Sequence, residues 1–291
     1  SAVVPHVVEE DKSDTTGPLP MNLDNKFVVF SMSQWTERKG FDLLLQAFTA
    51  EFGLHDDVAL VIKTFNSPTH RDNESILNEV NYYKNSMNLP NNLKSKPDNV
   101  MLIPGFTSYN NILKLYKSSD VFCLLTRGEG FGLTISEALA NKKPVIVPCE
   151  GGHMDFVSDE ASFLVDGHWD TCTFPILPYS VDGRWFVSHI DSARKQLRAA
   201  YNMWKSGDGQ LESMGQKGYD YILNNGYSRY DVGKKFVDHV TTLKEPIFRS
   251  PVKKRVAALK RELNKCDDIN EKLATLKDSF KGETCYILSC G

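Results

Sequence analysis

Nowhere does the chain approach the ~18 consecutive apolar residues that a membrane-spanning helix needs. Its first residues, Ser1-Ala-Val-Val-Pro-His6, lack the basic start and apolar run of a secretory signal. The sequence therefore predicts a cytoplasmic protein with no transmembrane segment. Basic clusters are missing too. With 34 basic against 37 acidic side chains the formal charge is −3, and no basic block is long enough to track a nucleic-acid backbone. Nucleic acid is not an expected partner. None of the six cysteines, Cys123, Cys149, Cys172, Cys266, Cys285 and Cys290, belongs to a CxxC pair; buried reduced thiols are expected rather than disulfides or zinc. No cluster of His and acidic residues has metal-ligand spacing, and no DxD-type pair follows a strand, so no metal site is expected.

What the chain does have is an ordinary globular balance, 41% hydrophobic and 24% charged over 291 residues, enough for one large or two small domains. Residues 1–26 carry Pro5, Gly17, Pro18 and Pro20 with no sustained period, the composition of a hinge or linker. From Phe27 an apolar strand (FVVFSM, 27–32), a loop and a helix (40–52) begin a unit that recurs. Strands are expected at 58–62 and 100–103, each followed by a helix, near 74–87 and 109–118. Further strands at 121–125 and 144–147 flank a helix at 133–141. A short strand at 161–165 and three closing helices at 185–204, 211–225 and 228–243 complete a domain spanning 27–245. The cluster Trp169, Phe174, Tyr179, Trp185 and Phe186 reads as the packing of a long loop.

Strands that are apolar throughout and alternate with helices predict an α/β, doubly wound parallel sheet of the Rossmann-like kind. Residues 246–283 then step Val256, Leu259, Leu263, Cys266 and Ile269, Leu273, Leu276, Phe280 among charges of both signs, the pattern of an amphipathic helical connector. Residues 284–291 (TCYILSCG) read as the first strand of a further, truncated domain.

In such sheets ligands bind outside the carboxyl ends of the strands. The strongest signal there is Thr126-Arg-Gly-Glu-Gly-Phe-Gly-Leu-Thr-Ile-Ser-Glu137, a strand end, a glycine-rich turn and a helix start. Glycines let the backbone approach a ligand closely, and the free amides of a helix start suit a phosphate or sugar hydroxyl. Glu129 and Glu137 lie eight positions apart, on the loop and on the helix. Two carboxylates beside an anion-binding turn suit an anion with hydroxyl-rich groups at both ends, as in a nucleoside diphosphate sugar. His153 and Asp155, on a later strand-end loop, are weaker candidates to approach the sugar.

This Glu-x7-Glu element within EGFGLTISEA, followed by NKKPVIV and a Gly-Gly turn, resembles the donor-binding half of retaining family 4 glycosyltransferases of the GT-B fold. The likeness extends to the Arg38-Lys39-Gly40 loop, VIKT at Lys63, PGF at Gly105 and the late Gly226-Tyr-Ser-Arg segment. It implies transfer of a sugar, with retention, from a nucleoside diphosphate sugar to a glycan, lipid or protein acceptor. It assigns Glu129 to the donor sugar, Glu137 to the ribose, and Lys39, Arg38 and Lys63 to the diphosphate. Gly130, Phe131, Gly132, Leu133 and Thr134 form the donor-binding turn, and no metal cofactor is required. Many members carry an arginine where this chain has Ser33, which leaves Arg38 or Lys63 to supply the second cation. The resemblance also implies a missing N-terminal acceptor domain, of which 1–26 retain only the hinge. A non-catalytic sugar-nucleotide-binding module of a multidomain protein is the second reading, and a relative that isomerises or phosphorolyses sugars the third.

Overall fold

The computed structural model describes residues 4–8, 23–52, 56–65, 73–86, 99–172, 182–242 and the single residues 261, 262 and 265. The strand expected at 284–291 lies outside them, as does the connector at 246–283 apart from those three residues.

The parallel sheet is built from β1 (Phe27–Gln34), β2 (Val58–Phe65), β3 (Val100–Ile103), β4 (Val121–Cys123), β5 (Val145–Pro148) and β6 (Ser162–Val165), in the order β3-β2-β1-β4-β5-β6. Every neighbouring pair runs parallel. The helices are α1 (Phe41–Glu51), α2 (Asn73–Ser86), α3 (Tyr109–Ser118), α4 (Leu133–Ala140), α5 (Ile190–Ser206), α6 (Gln210–Ile222) and α7 (Arg229–Thr242). Because successive side chains of a strand point to opposite faces, strands without polar positions require cover on both. Phe27, Val29, Leu60 and Ile62 share one core with Phe41, Leu44 and Phe48 of α1 and Leu197 and Tyr201 of α5. On the other face Phe30 and Phe122 meet the ring of Tyr116 from α3, with centroids 5.0 and 5.7 Å away. The doubly wound expectation is met.

Several local bounds are corrected: β2 runs on to Phe65, which puts Lys63 inside the strand, and β4 ends at Cys123. β1 continues two residues past Met32, with Ser33 and Gln34 in register with Thr64 and Phe65, because the centre of the sheet supplies a hydrogen-bonding neighbour whatever the side chain. The helix expected from 185 starts at Ile190; Arg184–Ser188 is instead strand β8, paired antiparallel with β7 (Gly167–Thr171). Trp185 and Phe186 are buried by this hairpin, and Trp169 lies edge-on to Phe186 at 5.7 Å. Of the described cysteines, Cys123 and Cys172 are buried and Cys149 is half-buried, all three reduced; burial pushes the Cys123 thiol far above its ordinary range.

Two compact units divide the chain: Glu10–Ile222, which holds both sheets, and Ser1–Glu9 with Leu223–Cys290. In the second, Val8 N donates to Tyr227 O at 2.8 Å, and Ser228 Oγ caps α7 by accepting from Asp231 N at 3.2 Å. No helix among the described residues is long and apolar enough to cross a membrane.

Candidate functional site

β1 and β4 are neighbours in the sheet, yet the chain leaves β1 toward β2 and leaves β4 toward β5. Their loops diverge, which opens a crevice at the carboxyl ends of the two strands. The loop after β1 is a 3-10 turn, Glu37–Lys39, closed by Gly40 at φ 67°. A side chain at Gly40 would meet the Leu125 carbonyl as well as this left-handed backbone, so only glycine fits. The two loops are stitched together: Arg127 N donates to Arg38 O at 2.7 Å and Thr126 Oγ1 to the same carbonyl at 3.1 Å. The Arg127 guanidinium binds both oxygens of Asp42, at 2.8 and 2.6 Å, and the Glu37 carbonyl at 2.5 Å.

This stitching brings three of the five charged candidates together. Glu129 Oε1 accepts from Lys39 Nζ at 2.5 Å, from Thr126 Oγ1 at 3.0 Å and from Arg38 at 3.3 Å. Arg38 also donates to the Gly128 carbonyl. The Glu129 and Lys39 side chains are only 8% and 14% exposed, so the pair sits in a medium where charge interactions are strong. Burial pulls the Lys39 ammonium below its ordinary range, and Glu129 opposes that shift. No side chain caps α4; Glu129 is held by cations, not by the helix amides.

Glu137 is positioned separately. Its Oε2 accepts from the Tyr116 hydroxyl at 3.1 Å, and burial raises its carboxyl above the usual range while that hydrogen bond opposes the rise. Lys63 is 4% exposed and donates to the carbonyls of Thr64, at 3.1 Å, and Gly105. It has no carboxylate partner among the described residues, and burial lowers its ammonium. Within the turn, Gly130 is exposed, Phe131 packs on Phe156 at 4.7 Å, Leu133 is half exposed, and the Thr134 carbonyl lies 2.9 Å from the Tyr116 hydroxyl. Gly132 is buried where the loop becomes α4.

The later loop comes up against this turn: Gly152 N donates to Glu129 O at 2.9 Å, and a Cβ at Gly152 would fall on the Gly130 carbonyl. His153 does not reach the surface of the loop. It is fully buried beneath the loop, with Nε2 2.8 Å from Pro148 O and Nδ1 unpartnered. Asp155 is exposed. Ser33, at the position of the arginine in the resembled family, is buried with its hydroxyl unpartnered and brings no charge.

Sequence reasoning missed Arg127, Thr126 and Tyr116. Arg127 and Thr126 lie inside the quoted motif, where a polar pair directly after an apolar strand was a usable signal. Tyr116 gave none, since its link to Glu137 is made only by folding α3 against α4.

A family model described as glycosyl transferases group 1 matches residues 20–172, a little over half of the chain. Among curated proteins, the mannosylfructose-phosphate synthase of Agrobacterium fabrum is 25% identical over 125 residues, covering 43% of this chain and 26% of the relative. Among solved structures, a trehalose-6-phosphate synthase studied for glycosyl transfer with retention has a TM-score of 0.58 at 16% identity, covering 82% of this chain and 51% of that one. Anabaena HepE in complex with UDP and glucose has a TM-score of 0.54 at 15% identity, covering 76% and 50%. The fold is that of one half of a GT-B glycosyltransferase. The chain spans about a quarter of the length of the curated relative and about half of the two solved neighbours.

Proposed function

The chain belongs to the glycosyl transferases of group 1, and from that premise we propose that it is the donor-binding half of a retaining, family 4 enzyme acting on a nucleoside diphosphate sugar. The observation that carries this reading is the Lys39–Glu129 pair, 2.5 Å apart in the crevice between β1 and β4. An ammonium and a carboxylate that neutralise each other when the site is free are suited to exchange partners. The diphosphate takes Lys39 and Arg38, and Glu129 turns its freed oxygen to the sugar hydroxyls. Backbone amides at Gly132 and Leu133 and the start of α4 add positive potential. Lys63, a cation without a carboxylate partner among the described residues, supplies further charge from β2. Glu137 accepts the ribose hydroxyls.

Transfer then needs no strong protein nucleophile. Charge building on the departing diphosphate is met by preorganised donors, and losing one such donor costs about 3 kcal/mol of transition-state stabilisation. The same cations replace a divalent metal, so donor binding survives EDTA. The acceptor is a glycan, lipid or protein held by a facing N-terminal domain. The neighbour solved with UDP and glucose makes a UDP-sugar the first donor to try. Melting shifts measured with UDP-, GDP- and ADP-sugars test the reading: one nucleotide series should stabilise the protein, with and without chelator. No stabilisation by any of them would overturn it.

A further inference from the structure

We propose that Tyr116 is a positioning residue for Glu137, its buried hydroxyl holding one carboxylate oxygen and leaving the other for the ribose of the donor nucleotide. The inference rests on the reading of Glu137 as the ribose carboxylate and adds the group that sets its orientation and charge.

Tyr116 is fully buried. Its ring is wedged edge-on against Phe30, 5.0 Å away at 86°, and tilted against Phe122 at 5.7 Å, so the phenol has one direction available. The hydroxyl ends at the first turns of α4, 2.9 Å from Thr134 O and 3.1 Å from Glu137 Oε2. Thr134 and Glu137 stand three positions apart on a helix and so share a face. A phenol carries one proton, and an ionised carboxylate is the stronger of the two acceptors. Oε1 of Glu137 has no side-chain partner among the described residues, which leaves it for a ligand.

The charge state follows from the same geometry. A carboxylate drawn partly out of water is pushed toward its neutral form, and the phenol donor resists that. The phenol itself stays protonated, held far above its ordinary range by burial first and by Glu137 second. Other ionisable groups on the surrounding elements include Tyr109, Lys114 and Lys117 of α3, Lys63 of β2, Lys142 and Lys143 after α4, and Glu212, Lys217, Tyr219, Asp220 and Tyr221 of α6. Tyr109 acts on Tyr116, Lys142 lies over the Tyr219 ring, Lys143 is engaged with Asp120 and Glu212, and Lys63 is tied to carbonyls. Burial raises the Glu137 carboxyl, and the hydrogen bond from Tyr116 is what opposes it.

The test uses the 291-residue chain with carbon-13 label in the Glu side chains. The Glu137 carboxyl is titrated by NMR in wild type, Tyr116→Phe and a protein carrying 3-fluorotyrosine at 116. The phenylalanine keeps the ring packing, so the fold should hold; the Glu137 midpoint should rise. Fluorotyrosine, a better donor, should lower it. In parallel, UDP affinity is measured across about pH 5 to 8. Tyr116→Phe should weaken it about 10-fold near neutrality, and further toward acid. A Glu137 midpoint that moves in neither variant overturns the proposal, as does UDP affinity identical to wild type at every pH while Glu137→Ala weakens it. If Glu137→Ala also leaves UDP affinity unchanged, the ribose reading falls, and the NMR titration still decides whether Tyr116 holds the carboxylate.

Discussion

Glu129 and Lys39 are readable from the sequence as separate candidates, and their union is not. The motif marks each as a charge at a strand end, but ninety positions separate them, and only the adjacency of β1 and β4 brings them together. Removing one member of a largely buried ion pair leaves the other poorly compensated, Glu129 keeping only the longer Arg38 contact, a loss of about 3 kcal/mol. Lys39→Met and Glu129→Gln should each lower stability by about that amount, and the double variant should recover most of it. None of the three should bind donor well. A denaturation cycle with additive losses would show that the pair is not coupled. Glu137 works in the opposite sense. Its carboxyl is raised in the folded state, so its stabilising contribution is complete below the unfolded value of about 4.5 and is lost as pH rises through the folded value. At neutral pH the charged form therefore opposes folding. Glu137→Gln should melt higher than wild type near pH 7 yet bind nucleotide less tightly, the trade expected of a residue kept for binding. A lower melting temperature would assign the carboxylate a structural role.

At the scale of the element, legibility depended on whether a pattern had a competitor. Strands β1 to β6 each carry an apolar run, from FVVF in β1 to VALVI in β2 and VIV in β5, bounded by polar residues, so they could be read as little else. β8 was misread because Phe186 continues the three- and four-residue spacing of Ile190, Ala193 and Leu197 backward by one turn. Pairing with β7 overrode that spacing. The contact between the two active loops was equally invisible, since a glycine in a sequence does not say what it touches. Gly152→Ala should push the Gly130 carbonyl and move the loop bearing Glu129. The expected result is a loss of donor affinity of at least 10-fold with only moderate loss of stability, about 1–3 kcal/mol. Affinity that stays at the wild-type level would mean that the loop tolerates displacement. His153, under the same loop, is held neutral, its imidazole lowered by burial against the opposing hydrogen bond to Pro148. The unfolded chain binds the proton more readily, so stability is lost as pH falls below about 6.5. His153→Leu should flatten that acid limb of the melting temperature against pH, and an unchanged slope would locate the sensitivity elsewhere.

For the whole molecule, the alternation of apolar strands and helices was enough to give a doubly wound sheet and to direct attention to its carboxyl edge. It could not supply the order of the strands or the pairing of distant loops, because those depend on contacts between segments far apart in sequence. The described residues form one parallel sheet and the β7–β8 hairpin, and the solved neighbours are about twice as long as the part they share with this chain. Glycosyl transfer requires donor and acceptor held in attack geometry with water excluded, and such positioning accounts for roughly 7 to 11 kcal/mol of a barrier. In the proposed reading Lys39, Arg38, Glu129 and Glu137 all serve the donor. We expect the 291-residue chain to bind nucleotide sugar and hydrolyse it slowly at most. Transfer should appear when a facing acceptor domain is supplied, on the same chain or as a partner. Steady-state assays that follow nucleotide release and sugar transfer separately distinguish the cases. Efficient transfer by these residues alone would place an acceptor site within them, and would show that one half of the cleft can orient both substrates.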